Sequence, residues 1–555
     1  MTVNLIPGSV LIFGALLVPL IRGRLQSAYL LALPLLSLYF LLGLPYGEYG
    51  QISLFDYTLT SIRVDKLSFV FGIIFHFAAF LSVLYALHVR DNVQHVTGLI
   101  YAGSAISAVF AGDLISLFVY WELTAVSSAF LIWASRTERS YRAGMRYLII
   151  QVTSGLFLLA GIIFHVQESG KIAFDVLSLS GPGATLIFIA FGIKCAFPLL
   201  HNWLQDAYPE ATVTGTVFLS AFTTKLAVYA LARGFPGTEM LIWIGAIMTA
   251  FPIFYAVIEN DLRRVLAYSL NNQLGFMVVG IGIGTQLSLN GTVAHAFAHI
   301  IYKALLFMSM GAVLFRTGTV KGSELGGLYK SMPYTTTFCI VGAASISAFP
   351  LFSGFVSKSL IMSAAVDESH IITWLVLLFA SAGVFHHSGI KIPFFAFFAH
   401  DSGIRCKEAP FNMLLAMGLA AFLCIGIGIF PTPLFNLLPY AVEYVPYTTT
   451  HVLTQLQLLI FSALAFAVLK RTGLYPPELN LIHLDSDWFY RRLPRLVWEG
   501  LCVPVVRIIN QGQASVSGRI SGMTITIPKS WALGQMVLLI VFLLLSFLVV
   551  NFWYR

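Results

Sequence analysis

The chain has 555 residues, of which 58% are hydrophobic and only 10% are charged, and its formal net charge is +8. A soluble domain has roughly a quarter of its residues charged, so this composition excludes a soluble protein and predicts one that crosses a membrane repeatedly. The positive charges mark loops and form no patch, which argues against a nucleic-acid partner.

Apolar segments recur along the chain, and about sixteen of them reach the roughly 20 residues that a spanning helix needs. They lie at 5–21, 27–44, 66–88, 93–111, 113–134, 143–166, 183–204, 211–233, 239–259, 263–284, 288–314, 333–365, 370–398, 410–431, 451–469 and 532–553. The segment 333–365 is too long for one straight span, and Pro350 within it predicts a break. The expected fold class is an all-α polytopic membrane protein with about 14–16 transmembrane helices.

Basic residues gather in alternate loops between these segments. They are Arg22, Arg24, Arg136, Arg139, Arg142, Arg263, Arg264, Arg316, Lys321, Arg405, Lys407, Lys470 and Arg471. The positive-inside rule places these loops in the cytoplasm and the N-terminus outside. We therefore expect a multi-pass protein of a bacterial-type inner (cell) membrane, surrounded by the lipid bilayer.

Two short stretches nearly repeat each other, Ala196-Phe197-Pro198-Leu199-Leu200 and Ala348-Phe349-Pro350-Leu351-Phe352. A proline inside a spanning helix frees backbone groups that need new partners. The same element twice predicts two related five-helix units, which must be inverted because five crossings is an odd number. The predicted divisions are N-terminal spans at 1–92, a first five-helix repeat at 93–235, a second, inverted repeat at 236–400, peripheral spans at 401–470, an amphipathic surface or lateral segment at 471–531, and a final span at 532–555.

The segment 471–531 differs from everything before it. Charged residues such as Asp487 and Arg491 alternate with aromatic residues such as Trp488 and Phe489. This pattern predicts an amphipathic helix on the cytoplasmic membrane surface. Packing along a neighbouring subunit and a plain tether to the final span are the two alternatives.

Glu122, Lys194 and Lys225 are charged residues that lie inside predicted spans. A buried carboxylate needs a partner or a proton, and intramembrane charge indicates function by default. A structural ion pair is the alternative for Glu122, and snorkelling to an interface is the alternative for the lysines. The functional interpretation is a proton path.

His295, His299 and Lys303 follow an i, i+4, i+8 spacing. On a helix they form one stripe, and histidine titrates near neutral pH, so the stripe suits a proton relay. Zinc is the alternative, but the glutamate of an H-E-x-x-H motif and a third ligand are both missing. We therefore predict no metal site.

Lys358 follows Pro350 and is a further candidate, with Lys391, His386 and His387 in a second tier. The two histidines precede Lys391 and either extend a proton path or are simply packed. The sequence contains no Walker A motif and no C-x-x-C spacing, so we predict no bound cofactor.

At these positions the chain resembles the antiporter-like membrane subunits shared by Mrp-type Na+/H+ antiporters and respiratory complex I. The matching stretches are Asp113 through Trp121-Glu122, Lys194-x3-Pro198-Leu-Leu-His201-x-Trp203-Leu204-x-Asp206-Ala207, Lys225 with Tyr229, Asp261-Leu-Arg-Arg-x-Leu-Ala-Tyr268-Ser269 through Gln273-Leu-Gly275, His295-x3-His299-x3-Lys303-Ala-Leu-Leu-Phe307, and Pro350-x3-Gly354-Phe355-x2-Lys358. The resemblance covers roughly residues 60 to 430. Ordered and dispersed motifs of this kind are highly specific.

The resemblance implies a role for each matched residue. Glu122 is similar to a glutamate whose pairing with Lys194 is switched during transport. The central hydrophilic axis would consist of Lys225, His295, His299 and Lys303, and Lys358 would be the terminal lysine of a second half-channel. A lysine there resembles Mrp D-type subunits and the L- and N-type subunits of complex I. The C-terminal segment and final span resemble the lateral helix of L-type subunits, although this one is shorter, and D-type subunits commonly lack such an extension.

The resulting prediction is a proton-translocating subunit of a multisubunit cation/H+ antiporter, most similar to the D-type subunits of Mrp antiporters. Its partners would be other membrane subunits and H+, with Na+ as a second candidate ion. It would be a transporter subunit and not an enzyme. The alternatives are a proton-pumping subunit of a complex I-like oxidoreductase or membrane-bound hydrogenase, and an energising subunit of an inorganic-carbon uptake complex.

Overall fold

The computed structural model describes residues 6–54, 57–479, 484–497 and 500. The chain divides into two units, Met1–His483 and Leu484–Arg555. In the described part of the first unit, the only strands form one short hairpin and the rest of the regular structure is helical.

The N-terminal region begins with helices and continues into the hairpin. Its elements are α1 (Ser9–Ala15), a 3-10 turn (Val18–Leu20), α2 (Gly23–Leu42), β1 (Gly47–Leu54), β2 (Tyr57–Val64) and α3 (Lys66–Ala86). The strands pair antiparallel, with Gly47 opposite Val64. Asp65 begins α3 in a capping box with Ser68, in which each side chain accepts from the other residue's backbone amide. The sequence did not predict this hairpin.

The central helices carry the candidate site residues. They are α4 (Asn92–Phe110), α5 (Leu114–Trp133), α6 (Glu138–Ser169), α7 (Pro182–Cys195), α8 (Asn202–Ala207), α9 (Gly215–Ala221), α10 (Thr223–Gly234), α11 (Met240–Ile258), α12 (Leu262–Ile283), α13 (Gln286–Thr317), α14 (Pro333–Ile346), α15 (Ser353–Asp367) and α16 (Ile371–Val384). A 3-10 turn at Leu328–Lys330 precedes α14, and α16 continues into π-helical stretches at Phe385–Lys391 and Phe394–Phe398.

The first unit ends with α17 (Phe411–Ile429), α18 (Thr432–Leu437) and α19 (Thr449–Arg471). Of the second unit the structure describes α20 (Asp487–Val497), which lies within the predicted amphipathic segment. Within that segment, residues 480–483, 498–499 and 501–531 lie outside the described residues, as does the final span predicted at 532–553.

The protein is an all-α polytopic membrane protein, as predicted. In the described ranges, 11 helices are long and apolar enough to cross a membrane by length and composition. In the most apolar stretch of α13, 94% of the residues are buried, against 17% in α19. Helix α13 is therefore central, whereas α19 presents Ile460, Phe461 and Leu464 outward, as expected for a helix that faces lipid.

Both predicted helix breaks are present, and their backbones match. Ala196 and Leu199 have φ of 61° and 69°, and Ala348 and Leu351 have φ of 56° and 73°. Non-glycine residues rarely adopt these angles. At each break, the same two amides bond back to the preceding helix, from Ala196 and Phe197 in the first and from the corresponding residues in the second.

A second pair of features also matches. Asp113 begins α5 and bridges to Ala173, while Asp261 begins α12 and bridges to Lys321. The two helices start at opposite ends of the bundle. The Asp113 carboxylate accepts from the amide of Thr60 in the hairpin.

The start of α12 lies at the other end. Arg263 donates to the Pro209 carbonyl, and Arg139, which follows α5, pairs with Glu210 at 2.5 Å. Since α12 begins where α5 ends, the two helices run in opposite directions.

Candidate functional site

Glu122 lies in the middle of α5, facing α6. Its Oε1 atom is buried and has no hydrogen-bond partner among the described residues. The room for this carboxylate comes from Gly155 on α6, because a Cβ at that position would collide with Oε1. A carboxylate oxygen without a hydrogen-bonding partner in an apolar bundle is costly. Glu122 Oε1 is therefore available to accept a hydrogen bond from a new partner.

Gly155 therefore gives a direct test of this carboxylate position. On the sequence-based prediction of a proton path through Glu122, we expect Gly155→Ala to displace this carboxylate and to lower proton flux by about tenfold or more, because a misplaced acid–base group loses its contribution to proton transfer. The measurement is the rate of cation-dependent proton movement in membrane vesicles. The matched control is Gly426→Ala in α17, where an added Cβ meets no atom within 4 Å; equal fluxes in the two variants would contradict the assigned position.

Lys194, in the last turn of α7, lies beside Glu122 but bonds to other groups. Its ammonium donates to the Trp121 carbonyl at 2.5 Å and to Thr124 Oγ1 at 3.0 Å, and it lies 4.3 Å from the centre of the Trp121 ring. The charges of Lys194 and Glu122 act on each other, although no ion pair joins them in the described structure. The predicted neighbours are therefore adjacent, with the lysine bonded to α5 backbone.

Lys225 lies just after an interruption that the sequence did not predict. Helix α9 ends at Ala221 and α10 begins at Thr223, with Phe222 between them at φ −103° and ψ −65°. The Lys225 ammonium donates to the Ser220 carbonyl at 2.5 Å. This carbonyl belongs to the last turn of α9, where backbone acceptors lack intrahelical donors. The buried lysine thus caps an internal helix end.

The stripe of His295, His299 and Lys303 lies on α13, and all three side chains are fully buried. His295 Nδ1 and Ser357 Oγ of α15 are hydrogen-bonded at 3.0 Å. The Tyr302 hydroxyl, on the same helix, donates to Gln273 Oε1 of α12 at 3.0 Å. The stripe therefore lies where α12, α13 and α15 meet.

The other half of the stripe lacks such bonds. Both ring nitrogens of His299 and the Lys303 ammonium are buried without hydrogen-bond partners among the described residues. The Lys303 ammonium lies 5.9 Å from the Phe307 ring, and the charges of Lys225 and Lys358 act on both His299 and Lys303. Buried polar groups without protein partners can be linked by bridging water.

Lys358 lies on α15, after the second helix break. Its ammonium donates to the Ile346 carbonyl at 2.8 Å and lies 5.1 Å from the Phe276 ring. Ile346 is the last residue of α14, so Lys358 satisfies an acceptor that the break exposes. At the first break, the carbonyl of Ile193 in the last turn of α7 accepts a bond from Trp203 Nε1 at 3.0 Å.

The second-tier residues continue the same row. His387 is fully buried, and its Nδ1 atom is hydrogen-bonded to Ser388 Oγ at 2.9 Å. The charges of Lys303, His386 and Lys391 all act on its ring. Lys391 is itself fully buried at the end of the π-helical stretch. The row of titratable groups thus extends past Lys358 to Lys391.

Two buried side chains beside the row were missed from sequence. Glu478, in the segment after α19, forms an ion pair with Lys391 at 3.2 Å. Gln151 on α6 is fully buried with both amide atoms unpaired within the described ranges. The sequence could have indicated Gln151, because a polar amide inside a spanning helix usually bonds to a neighbouring helix. Glu478 carried none, because it lies in a polar stretch outside any predicted span.

The described residues contain no group of three or more His, Cys, Asp or Glu side chains that could hold a metal ion. His295 and His299 are one helical turn apart, and their ring centres are separated by 6.2 Å.

Residues 111–386 match the family described as NADH:quinone oxidoreductase/Mrp antiporter, TM. The chain is 31% identical over 352 residues to the D-type subunit of the Na+/H+ antiporter of Alkalihalophilus pseudofirmus, an alignment that covers 59% of this chain and 71% of the relative.

Two solved structures are similar in fold. One belongs to the Mrp complex of Dietzia sp., with a TM-score of 0.71 and 20% identity, covering 82% of this chain and 100% of the other. The second belongs to an archaeal membrane-bound sulfane sulfur reductase complex, with a TM-score of 0.73 and 22% identity, covering 98% of this chain and 99% of the other. At these identities the two structures establish the fold alone.

Proposed function

We propose a transport function from one premise: the chain belongs to the NADH:quinone oxidoreductase/Mrp antiporter family of membrane subunits. The function we propose is that of a proton-translocating subunit in a multisubunit monovalent cation (Na+)/H+ antiporter. The observation that carries it is the row of buried titratable side chains from Glu122 to Lys391. Ionisable groups inside spanning segments are costly and mark ion paths by default.

The mechanism we propose is electrostatic. Lys194 can exchange the Trp121 carbonyl for the Glu122 carboxylate, because both acceptors belong to adjacent residues on α5. Making or breaking that pair changes the field at Lys225 and then at His299 and Lys303. One pKa unit corresponds to about 1.4 kcal/mol, and charge pairs in a low dielectric interact by more than this. A small movement of one lysine is then enough to move a proton, with Lys358 controlling its passage into the second half.

We further propose that residues 93–235 and 236–400 are inverted repeats. The matched helix breaks and the opposite directions of α5 and α12 support this division. Two half-channels would then meet at Lys225 and the α13 stripe, as in other transporters built from inverted repeats with broken helices. The proposed orientation has the basic loops in the cytoplasm of a bacterial-type inner membrane and the N-terminus outside.

A second candidate function is that of the proton-pumping subunit in a redox-driven complex. The family description includes NADH:quinone oxidoreductase, and one structural neighbour belongs to a reductase complex. The axis would work in the same way, and the redox centres would lie on partner subunits. In both cases the chain is an ion-translocating membrane subunit that works with other membrane subunits.

Copurification of the intact complex decides between the two. We expect an affinity-tagged chain to bring down small membrane subunits of an antiporter, without flavin or iron–sulfur absorbance. Recovery of subunits with flavin or iron–sulfur absorbance would instead indicate redox-driven pumping. A single large, soluble-type zinc protein as the sole partner would favour a role in inorganic-carbon uptake.

A further inference from the structure

Lys391 is surrounded by oxygen atoms at the far end of the row. Its ammonium lies 2.6 Å from each of the Val257 and Glu259 carbonyl oxygens and 3.3 Å from that of Ala256. These carbonyls belong to the C-terminal end of α11, where backbone acceptors are unsatisfied. The fourth oxygen is Glu478 Oε1, at 3.2 Å.

Glu478 reaches this site from the segment after α19. Its side chain is only 7% exposed. A Cβ at Gly322 would lie 3.6 Å from Glu478 Oε2 and 3.6 Å from Asn260 Oδ1, so the carboxylate lies against the loops that join α11 to α12 and α13 to α14. The carboxylate is therefore close both to Lys391 and to these two loops.

Other titratable groups face this carboxylate from each neighbouring element. Glu259 directly follows α11, and Lys470 lies in the last turn of α19. The charges of both residues act on Glu478, together with that of Lys391. Burial raises the pKa of Glu478, while the charges of Lys391 and Lys470 oppose that shift. Tyr475 also faces it, and the His386 ring stacks on Tyr475 with centres 5.5 Å apart.

The chemistry of the four oxygens is unequal. The three carbonyls can hold an ammonium but cannot accept its proton at ordinary pH. The Glu478 carboxylate can do both. The two short carbonyl bonds already hold Lys391 in place. The carboxylate is therefore not needed to position the lysine.

We propose that Glu478 accepts the proton from Lys391 and passes it toward the loops at this end, so that the segment after α19 supplies the terminal group of the path. In this step the N–H bond of Lys391 breaks and an O–H bond forms on Glu478, leaving a neutral amine and a neutral carboxylic acid. The proposal rests on the proton-translocating function proposed above. It adds a terminal carboxylate at a position outside every predicted span.

The test uses the complete complex reconstituted in liposomes, with proton flux recorded against pH. We expect Glu478→Gln to lower flux by about a hundredfold, within the range that a positioned acid–base group contributes, while the complex still assembles. Glu443→Gln is the matched control, since Glu443 is exposed and far from the row in sequence. Its flux should equal that of the unaltered chain.

The pH profile separates proton transfer from attachment. Flux in the unaltered complex should fall on the acid side, because protonated Glu478 cannot accept a proton. Glu478→Asp should keep that limb but shift it to lower pH, since the ordinary pKa of aspartate is lower than that of glutamate. If Glu478→Gln does not assemble, an unshifted limb in Glu478→Asp overturns the proposal.

Glu122→Gln distinguishes failure of this proposal from failure of the proposed function. Normal flux in Glu478→Gln with no flux in Glu122→Gln would overturn the terminal role of Glu478 alone. Normal flux in both would overturn the proton path itself.

Discussion

Replacing Glu122 with glutamine is expected to abolish cation-dependent proton flux and to leave assembly intact. The amide keeps the shape of the carboxylate in the space beside Gly155, so packing is preserved. It removes the charge that competes with the Trp121 carbonyl for Lys194, and the proposed switch then has one state. We expect a loss of at least about a hundredfold, the scale on which single acid–base groups act. The measurement is the collapse of a pH gradient on addition of Na+ or K+ to membrane vesicles.

The matched control is Glu138→Gln at the start of α6. Glu138 is exposed and pairs with Arg142 at 2.8 Å, and exposed pairs of this kind contribute about 0–1 kcal/mol. Flux in this variant should be normal. Normal flux in Glu122→Gln as well would remove the proposed switch.

Replacing Lys303 with methionine is expected to abolish flux and, at the same time, to make the protein more resistant to heat. The Lys303 ammonium is fully buried with no hydrogen-bond partner in the described part of the chain. A buried polar group without a partner destabilises the fold by about 1–3 kcal/mol or more, and methionine fills a similar volume without that cost. Proton flux should therefore fall while thermal stability rises, as in other proteins whose functional sites lower the stability of the fold.

The measurements are vesicle proton flux and the temperature of half-inactivation of detergent-solubilised protein. Lys321→Met is the control, because Lys321 is about half exposed and pairs with Glu324 at 2.9 Å. It should change neither quantity appreciably. A Lys303→Met protein that is less stable than the unaltered chain would show that the ammonium has a structural partner, and would contradict its place in the proton path.

The main features of the fold could be predicted because they follow from hydrophobicity and proline. Apolar length places the helices, and every segment predicted before residue 470 contains helix in the structure. Pro198 and Pro350 indicated both broken helices. The sequence did not reveal that Leu199 and Leu351 adopt positive φ, because leucine has no preference for that conformation and the surrounding packing imposes it.

Other features left no readable signal. The hairpin at 47–64 is held by contacts distant in sequence, such as the bond from the Thr60 amide to Asp113. The interruption at Phe222 contains neither proline nor glycine, the two residues that usually break a helix pattern. Both arise from tertiary packing, which a local pattern does not encode.

The candidate site was predictable in its residues and less so in their partners. Charge inside a span identifies Lys194 and Lys358 without any structure. Their bonds to the carbonyls of Trp121 and Ile346 depend on which helices cross at those points. Glu478 was missed because it lies in a polar segment after the last predicted span of the first unit. Only the fold shows that it is buried beside Lys391.

The central claim is that the buried row carries protons in exchange for a monovalent cation. The most direct test is proton movement in liposomes that contain only the purified complex, driven by an imposed Na+ or K+ gradient with no electron donor present. We predict that the cation gradient alone drives proton movement in the unaltered complex and that Glu122→Gln abolishes it. Proton movement that requires an electron donor, or that persists unchanged in Glu122→Gln, would contradict the account.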